Sequence, residues 1–299
     1  MRAILFFLIL ITFITSNGQT NYQKFKKFIE NQDTSSMRLL VASWETDKEL
    51  DAEFYICAFN YNFLKSKKEI VQINAGKATN STKEMMNVYD DEGKQAGYIS
   101  VSPYYDRLYL SKALMYANQG ISKFPNRIDI RFGKCHVLQE NEDYDSFIAE
   151  LKTTIDYSIQ NHNNWIGEEN QKIDSGEDYL TTTVYSYQVE LYNTGNDSLI
   201  KYIQQIGDHF LKFYSKKVEV LSMTAVTYLL EKKYDKAIEY FTNAEKIDPR
   251  DCIVLNNLAE AYIRKGDKAN GIKYYELVKK YGDSEHVQNA KKRISELKN

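Results

Sequence analysis

The sequence predicts a mostly α-helical fold: a solenoid of about five helical hairpins, with a β-hairpin inserted near residues 67–102 and a capping helix at the C-terminal end. Three observations predict it. First, residues 218–251 align with 252–285 at an offset of 34, pairing Leu221 with Leu255, Ala225 with Ala259, Tyr228 with Tyr262, Ile238 with Ile272, Tyr240 with Tyr274 and Phe241 with Tyr275. Self-similarity at such a period marks stacked supersecondary units. Second, each unit holds two apolar helical periods around a polar break, Glu231-Lys232-Lys233 in one and Arg264-Lys265-Gly266-Asp267 in the other, so each unit reads as a helix pair. Third, residues 67–102 abandon the helical pattern, and Gln95–Val101 within them is rich in strand formers.

From the N-terminus, Arg2, the apolar stretch Ile4 to Thr15 and the small residues Ser16-Asn17-Gly18 before Gln19 read as a secretory signal, residues 1–18, cleaved near Gly18/Gln19. The stretch is shorter than the roughly 20 residues a membrane span needs. The sequence therefore predicts an extracytoplasmic chain, periplasmic or secreted, with no transmembrane span in its mature form. Residues 19–50 follow as an N-terminal helical segment centred on 21–46.

The four-then-three spacing of Leu221, Ala225 and Tyr228 recurs at Phe54, Cys57–Ala58 and Tyr61, and at Arg131, Cys135 and Leu138. These mark first helices at 51–65 and from 128. Ala113, Ala117, Gly120 and Pro125 repeat the spacing of Ala237, Phe241, Ala244 and Pro249, so 104–124 reads as a second helix. The region 51–156 is thus a set of degenerate repeats. Within it, Met85–Tyr89, the turn residues Asp90-Asp91-Glu92-Gly93, and Gln95–Val101 predict the hairpin. Further pairs are predicted at 128–156, broken at Asn141-Glu142-Asp143, and at 177–214, broken at Gly195-Asn196-Asp197. A polar linker at 157–176 separates them, repeats fill 177–284, and 285–299 is a capping helix with Val287, Ala290, Ile294 and Leu297 on one face.

In the unit 218–251 the small residues Ala225 and Ala237 mark where its two helices cross closely, and Pro249 stops the second helix because it cannot donate to the helical ladder. With Ala237, Phe241, Ala244 and Pro249 at the second-helix spacing, residues 218–284 resemble the tetratricopeptide repeat (TPR) family. The last unit departs from that pattern: Gly271 and Val278 stand in place of the two alanines, and no proline closes it.

Composition excludes several classes of function. With 39 basic and 41 acidic residues and a formal net charge of −2, the chain lacks the footprint of a nucleic-acid binder. Three cysteines give no even-numbered disulfide framework, and Cys57 and Cys135 occupy packed helical positions, so they read as buried thiols. His136, His162, His209 and His286 stand without a second ligand at metal-binding spacing. No nucleophile elbow or phosphate-cradling loop is present. The reading assigns no catalytic residue, no metal site and no cofactor.

The resemblance implies that function resides in a groove lined by first helices. Transferred position by position, its lining is Gln188, Tyr192, Ser222, Val226, Asn256, Glu260 and Arg264. Glu260 stands where a clamp for a peptide's C-terminal carboxylate would want Asn, and its charge argues against that ligand. The expected function is a non-catalytic scaffold that holds a protein or peptide. An alternative, a glycan-binding or glycan-handling envelope accessory, rests on aromatic side chains such as Trp165, provided they are exposed rather than packed; an enzyme is third.

Overall fold

The structure, a computed structural model, describes residues 19–76 and 84–298. The expected leader, residues 1–18, lies outside the described residues. The chain divides into two compact units after Tyr116.

The first unit opens with a helix pair, α1 (Asn21–Glu30) and α2 (Thr34–Trp44), followed by α3 (Ala52–Ser66). A capping box starts α1: Thr20 Oγ1 accepts from the Gln23 amide and Gln23 Oε1 accepts from the Thr20 amide, both at 3.2 Å, which satisfies two otherwise orphaned donors. Asp51 caps α3 by accepting from Phe54 N at 2.9 Å. Helix α3 is buried nearly all round, as a central core helix must be. Its Phe54 ring meets Trp44 and Tyr116 edge-on, each at 5.9 Å.

The insertion that follows is larger than a hairpin. It has three antiparallel strands, β1 (Lys67–Ala75), β2 (Glu84–Tyr89) and β3 (Gln95–Tyr105), in the order β1-β3-β2. The expected turn is present: Asp90 Oδ1 accepts from Glu92 N and Lys94 N at 3.0 and 2.8 Å, and Gly93 has a φ of 75°, open to glycine at no steric cost. Register places Val71 opposite Val101 and Ile73 opposite Ile99. With Met86 paired to Ile99, these side chains share one face of the sheet, where Ile73 is 80% exposed. The other face carries polar side chains, including Asn74, which donates to Ser100 Oγ at 2.9 Å.

Helix α4 (Arg107–Lys123) contains the division between the units. The second unit then runs through α5 (Ile128–Glu140), α6 (Tyr144–Gln160), α7 (Gly176–Asn193), α8 (Ile200–Phe210), α9 (Val218–Leu230), α10 (Tyr234–Ile247), α11 (Cys252–Lys265), α12 (Lys268–Tyr281) and α13 (Ser284–Lys298). Helices α5/α6, α9/α10 and α11/α12 share one turn, which also joins α1 to α2. In each, one residue takes a left-handed conformation: Gln32, Glu142, Lys232 or Gly266. The following amide then reaches back five residues, Asp33 to Phe28 O at 2.8 Å, and Asp143 to Leu138 O, Lys233 to Tyr228 O and Asp267 to Tyr262 O, each at 2.9 Å. This six-to-one bond closes the first helix. Asp33, Asp143 and Asp267 also cap the second. The N-terminal pair is thus turned in the same way as the C-terminal repeats.

Ala225, Ala237 and Phe241 are buried in the C-terminal core, as their spacing predicts. Gly271 is buried too, and a Cβ there would collide with Ile263 Cδ1, lie 2.6 Å from Ile263 Cγ1 and lie 3.2 Å from Ala259 O. The glycine is therefore what lets α11 and α12 approach as closely as the paired alanines do elsewhere. Cys57 and Cys135 are buried, and burial pushes both thiols up from their ordinary range.

The stretch 157–176, expected as a polar linker, is packed rather than free. Helix α6 extends into it. Ile166 N then donates to Asn126 O at 2.9 Å, Ile128 N donates to Ile166 O at 3.0 Å, and Ile173 N donates to Trp165 O at 3.0 Å. Trp165 is 0% exposed. Its ring lies 5.7 Å from that of Tyr157, and the Arg131 guanidinium lies 5.9 Å from it. Trp44 is buried as well, so neither tryptophan of the chain offers a face for stacking on a sugar.

Candidate functional site

The first helices of the C-terminal pairs, α7, α9 and α11, pack in succession, and two clefts open along this row. The first has a volume of about 350 Å³. Its apolar wall is Tyr185 of α7, Val218, Met223 and Val226 of α9, and Ile253 of α11; Ile253 is 58% exposed. Glu219, Ser222 and Asn257 add polar groups, and Asp248 and Asp251 enter from the segment between α10 and α11. Asp251 is held there by its role as helix cap, its Oδ1 accepting from Ile253 N and Val254 N at 2.9 and 3.1 Å. Ser222 Oγ is closed to solvent and has no hydrogen-bond partner among the described residues. A buried hydroxyl left in that state costs about 1–3 kcal/mol.

The second cleft, about 400 Å³, lies between α11, α12 and α13, with Asn256, Glu260 and Tyr275 on one side and Asn289, Lys292, Arg293 and Glu296 of α13 on the other. Glu260 sits at its centre. It accepts from Arg264 Nε at 2.8 Å, Arg293 Nη2 at 2.9 Å and Tyr275 Oη at 3.2 Å. Burial acts to raise its pKa, but the hydrogen bonds from Arg264 and Arg293 outweigh burial and hold the carboxyl below its ordinary value. The charge that argued against an anionic ligand is therefore neutralised within the protein.

A pH dependence follows. Because the folded-state pKa of Glu260 is depressed, its stabilising contribution is present above the ordinary carboxylate pKa of 4.5 and is lost as pH falls through the lowered folded value. Glu260→Gln is expected to cost about 1 kcal/mol at neutral pH, the scale of a partly exposed ion pair. That cost should shrink in paired urea titrations as pH falls below 4.5 and through the lowered folded value. A difference that does not change with pH would show that the pair contributes nothing through charge.

The seven residues of the expected groove fare differently. Ser222 and Val226 line the first cleft, and Asn256 and Glu260 line the second. Arg264 is drawn to Glu260. Tyr192 is 41% exposed near the end of α7 and lines neither cleft. Gln188 is misplaced by the sequence reading: it is 0% exposed, and its Nε2 donates to Ile203 O and Thr224 Oγ1, both at 3.1 Å. The cause is Gly207 of α8, where a Cβ would collide with Thr224 Oγ1 and lie 2.7 Å from Gln188 Nε2. Its absence lets α8 close over Gln188. Sequence reasoning also missed the contribution of α13, taken only as a cap, and the loop carboxylates Asp248 and Asp251.

A tetratricopeptide repeat family model matches residues 218–251 and 254–281. No curated protein matches the chain. Among solved structures, the chain is similar to a tetratricopeptide repeat protein from Parabacteroides merdae, at 15% identity over 93% of this chain and 86% of that one, with a TM-score of 0.38. It is also similar to YrrB, described as a TPR protein with an unusual peptide-binding site, at 15% identity over 61% and 83% of the two chains and a TM-score of 0.38. A third is the type III secretion translocator chaperone SycD of Yersinia enterocolitica, at 14% identity over 39% and 87%, with a TM-score of 0.34.

Proposed function

We propose that this chain, which carries tetratricopeptide repeats at 218–251 and 254–281, is an interaction scaffold that holds a protein or peptide segment along its row of first helices, outside the cytoplasm. One observation carries the reading: the repeat positions Ser222, Val226, Asn256 and Glu260, none of them fully buried, line two neighbouring clefts on that row. Stacked repeats offer such continuous surfaces for extended partners. The extracytoplasmic placement rests on Arg2, Ile4–Thr15 and Ser16-Asn17-Gly18. Among the described residues no helix is long and apolar enough to cross a membrane. The scaffold role assigns no catalytic residue.

Site-specific photo-cross-linking tests it. A benzophenone side chain at position 253, on the row, or at 289, on the α13 wall of the second cleft, is expected to give a discrete adduct in intact cells, whereas one at the exposed position 239 of α10 gives none. Equal yield from 239, or no adduct from 253 and 289, would remove the groove assignment.

A further inference from the structure

We infer that the cleft between α7, α9 and α11 selects a peptide segment carrying a lysine or arginine beside an apolar side chain; the inference rests on the groove reading above. Among the described residues, three carboxylates, Glu219, Asp248 and Asp251, line the cleft and no cationic side chain does. None of the three is in an ion pair among the described residues. Cationic neighbours in sequence have other partners: Lys217 is held by Glu177 at 2.8 Å and Asp178 at 3.1 Å, Lys246 donates to Asn243 Oδ1 at 3.1 Å, and the Arg250 guanidinium lies over the Tyr281 ring at 5.8 Å. Like charges around a partly enclosed space raise the local attraction for an opposite charge.

The geometry also says what kind of cation. Among the described residues no group of three or more His, Cys, Asp or Glu side chains is gathered closely enough to hold a metal ion. An ammonium or guanidinium on a flexible stem suits spread carboxylates, because its several donors reach separate acceptors while its methylenes lie along apolar surface. That surface is present in Met223, Val226 and the exposed Ile253. The neighbouring cleft differs, since Lys292 and Arg293 stand there with Glu260 and Glu296. Charge thus directs the cationic residue of a bound segment to the first cleft.

The test is selection of a phage-displayed random dodecapeptide library on the full chain, followed by titration of the synthetic winners. Enriched peptides should carry Lys or Arg within about two residues of Leu, Ile or Phe. Their affinity should fall about tenfold with Glu219→Lys, and again as salt rises through the range where the screening length drops from about 10 Å to 3 Å. Glu219 is exposed, so its substitution leaves the core untouched, which circular dichroism and melting will verify. The neutral double variant Met223→Ala/Ile253→Asn separates the two readings. If winners lose affinity in the double variant but show no cationic residue and ignore Glu219→Lys, the groove stands and the basic-apolar class is overturned. No enrichment, or winners indifferent to both variants, overturns the groove itself.

Discussion

Replacing Trp165 with Ala is expected to lower the free energy of unfolding of the second unit by about 3–5 kcal/mol, the range for a fully buried large aromatic. The ring is closed to solvent against Tyr157 and Arg131, and the backbone on either side of it bridges Asn126, Ile128 and Ile173. The α6–α7 segment is further tied by Tyr214, whose hydroxyl donates to Asn163 Oδ1 at 2.8 Å and lies 2.6 Å from Ser158 Oγ. Nothing nearby can fill the space. Gly176 already sits so close that a Cβ there would collide with Asn163 O and lie 3.1 Å from Trp165 Cδ1, and such a well-packed surround relaxes only partly around a cavity. Urea unfolding followed by far-ultraviolet circular dichroism reads the loss. Because the chain has two tryptophans, a Trp44→Phe variant that keeps Trp165 gives its fluorescence alone, and a blue-shifted emission that shifts red on unfolding checks the burial independently. A loss below about 1 kcal/mol would return Trp165 to the surface and reopen its use in recognition.

The second large effect is at Gln188. Gln188→Ala is expected to destabilise by about 2–4 kcal/mol through the cavity and the lost donation to Ile203 O and Thr224 Oγ1. Gln188→Leu should cost less. Thr224 Oγ1 keeps its own donation to Val220 O at 2.7 Å, Gln188 Oε1 has no partner to lose, and an apolar side chain of similar size refills the volume. The order Ala worse than Leu, in urea midpoints, marks a packing residue. If both variants melt like the parent while peptide capture disappears, Gln188 is a recognition residue and its buried placement is wrong.

The contrast between Gln188 and Ser222 shows how far the repeat can be read. Transferring positions by 34 residues works where the helix pairs are built alike, so Ser222 and Asn256 reach corresponding clefts. It fails at α7/α8, where Gly195 is left-handed but the chain runs on into a short 3₁₀ turn at Asp197–Leu199 and the six-to-one bond of the shared turn is not among its backbone bonds. There Gly207 admits Thr224 close to Gln188. The sheet shows the same limit. Asp90-Asp91-Glu92-Gly93 announces the hairpin of β2 and β3, and the helical pattern stops before residue 67, but β1 follows α3 without a break and pairs with β3 only in the folded sheet, so the third strand was not read.

What the sequence by itself determined is local and periodic: helix pairs, their polar breaks and the small residues at crossings. Each follows from backbone sterics and hydrogen bonding within a few residues. What only the tertiary structure decided is which side chains share a space. Glu219, Asp248 and Asp251 come from different elements, and Glu260 meets Arg293 across 33 positions. The charge of each cleft is therefore set by packing. A carboxylate seen alone in the sequence carries no record of whether a guanidinium lies beside it, as at Glu260, or no cationic side chain lines its cleft, as at Glu219.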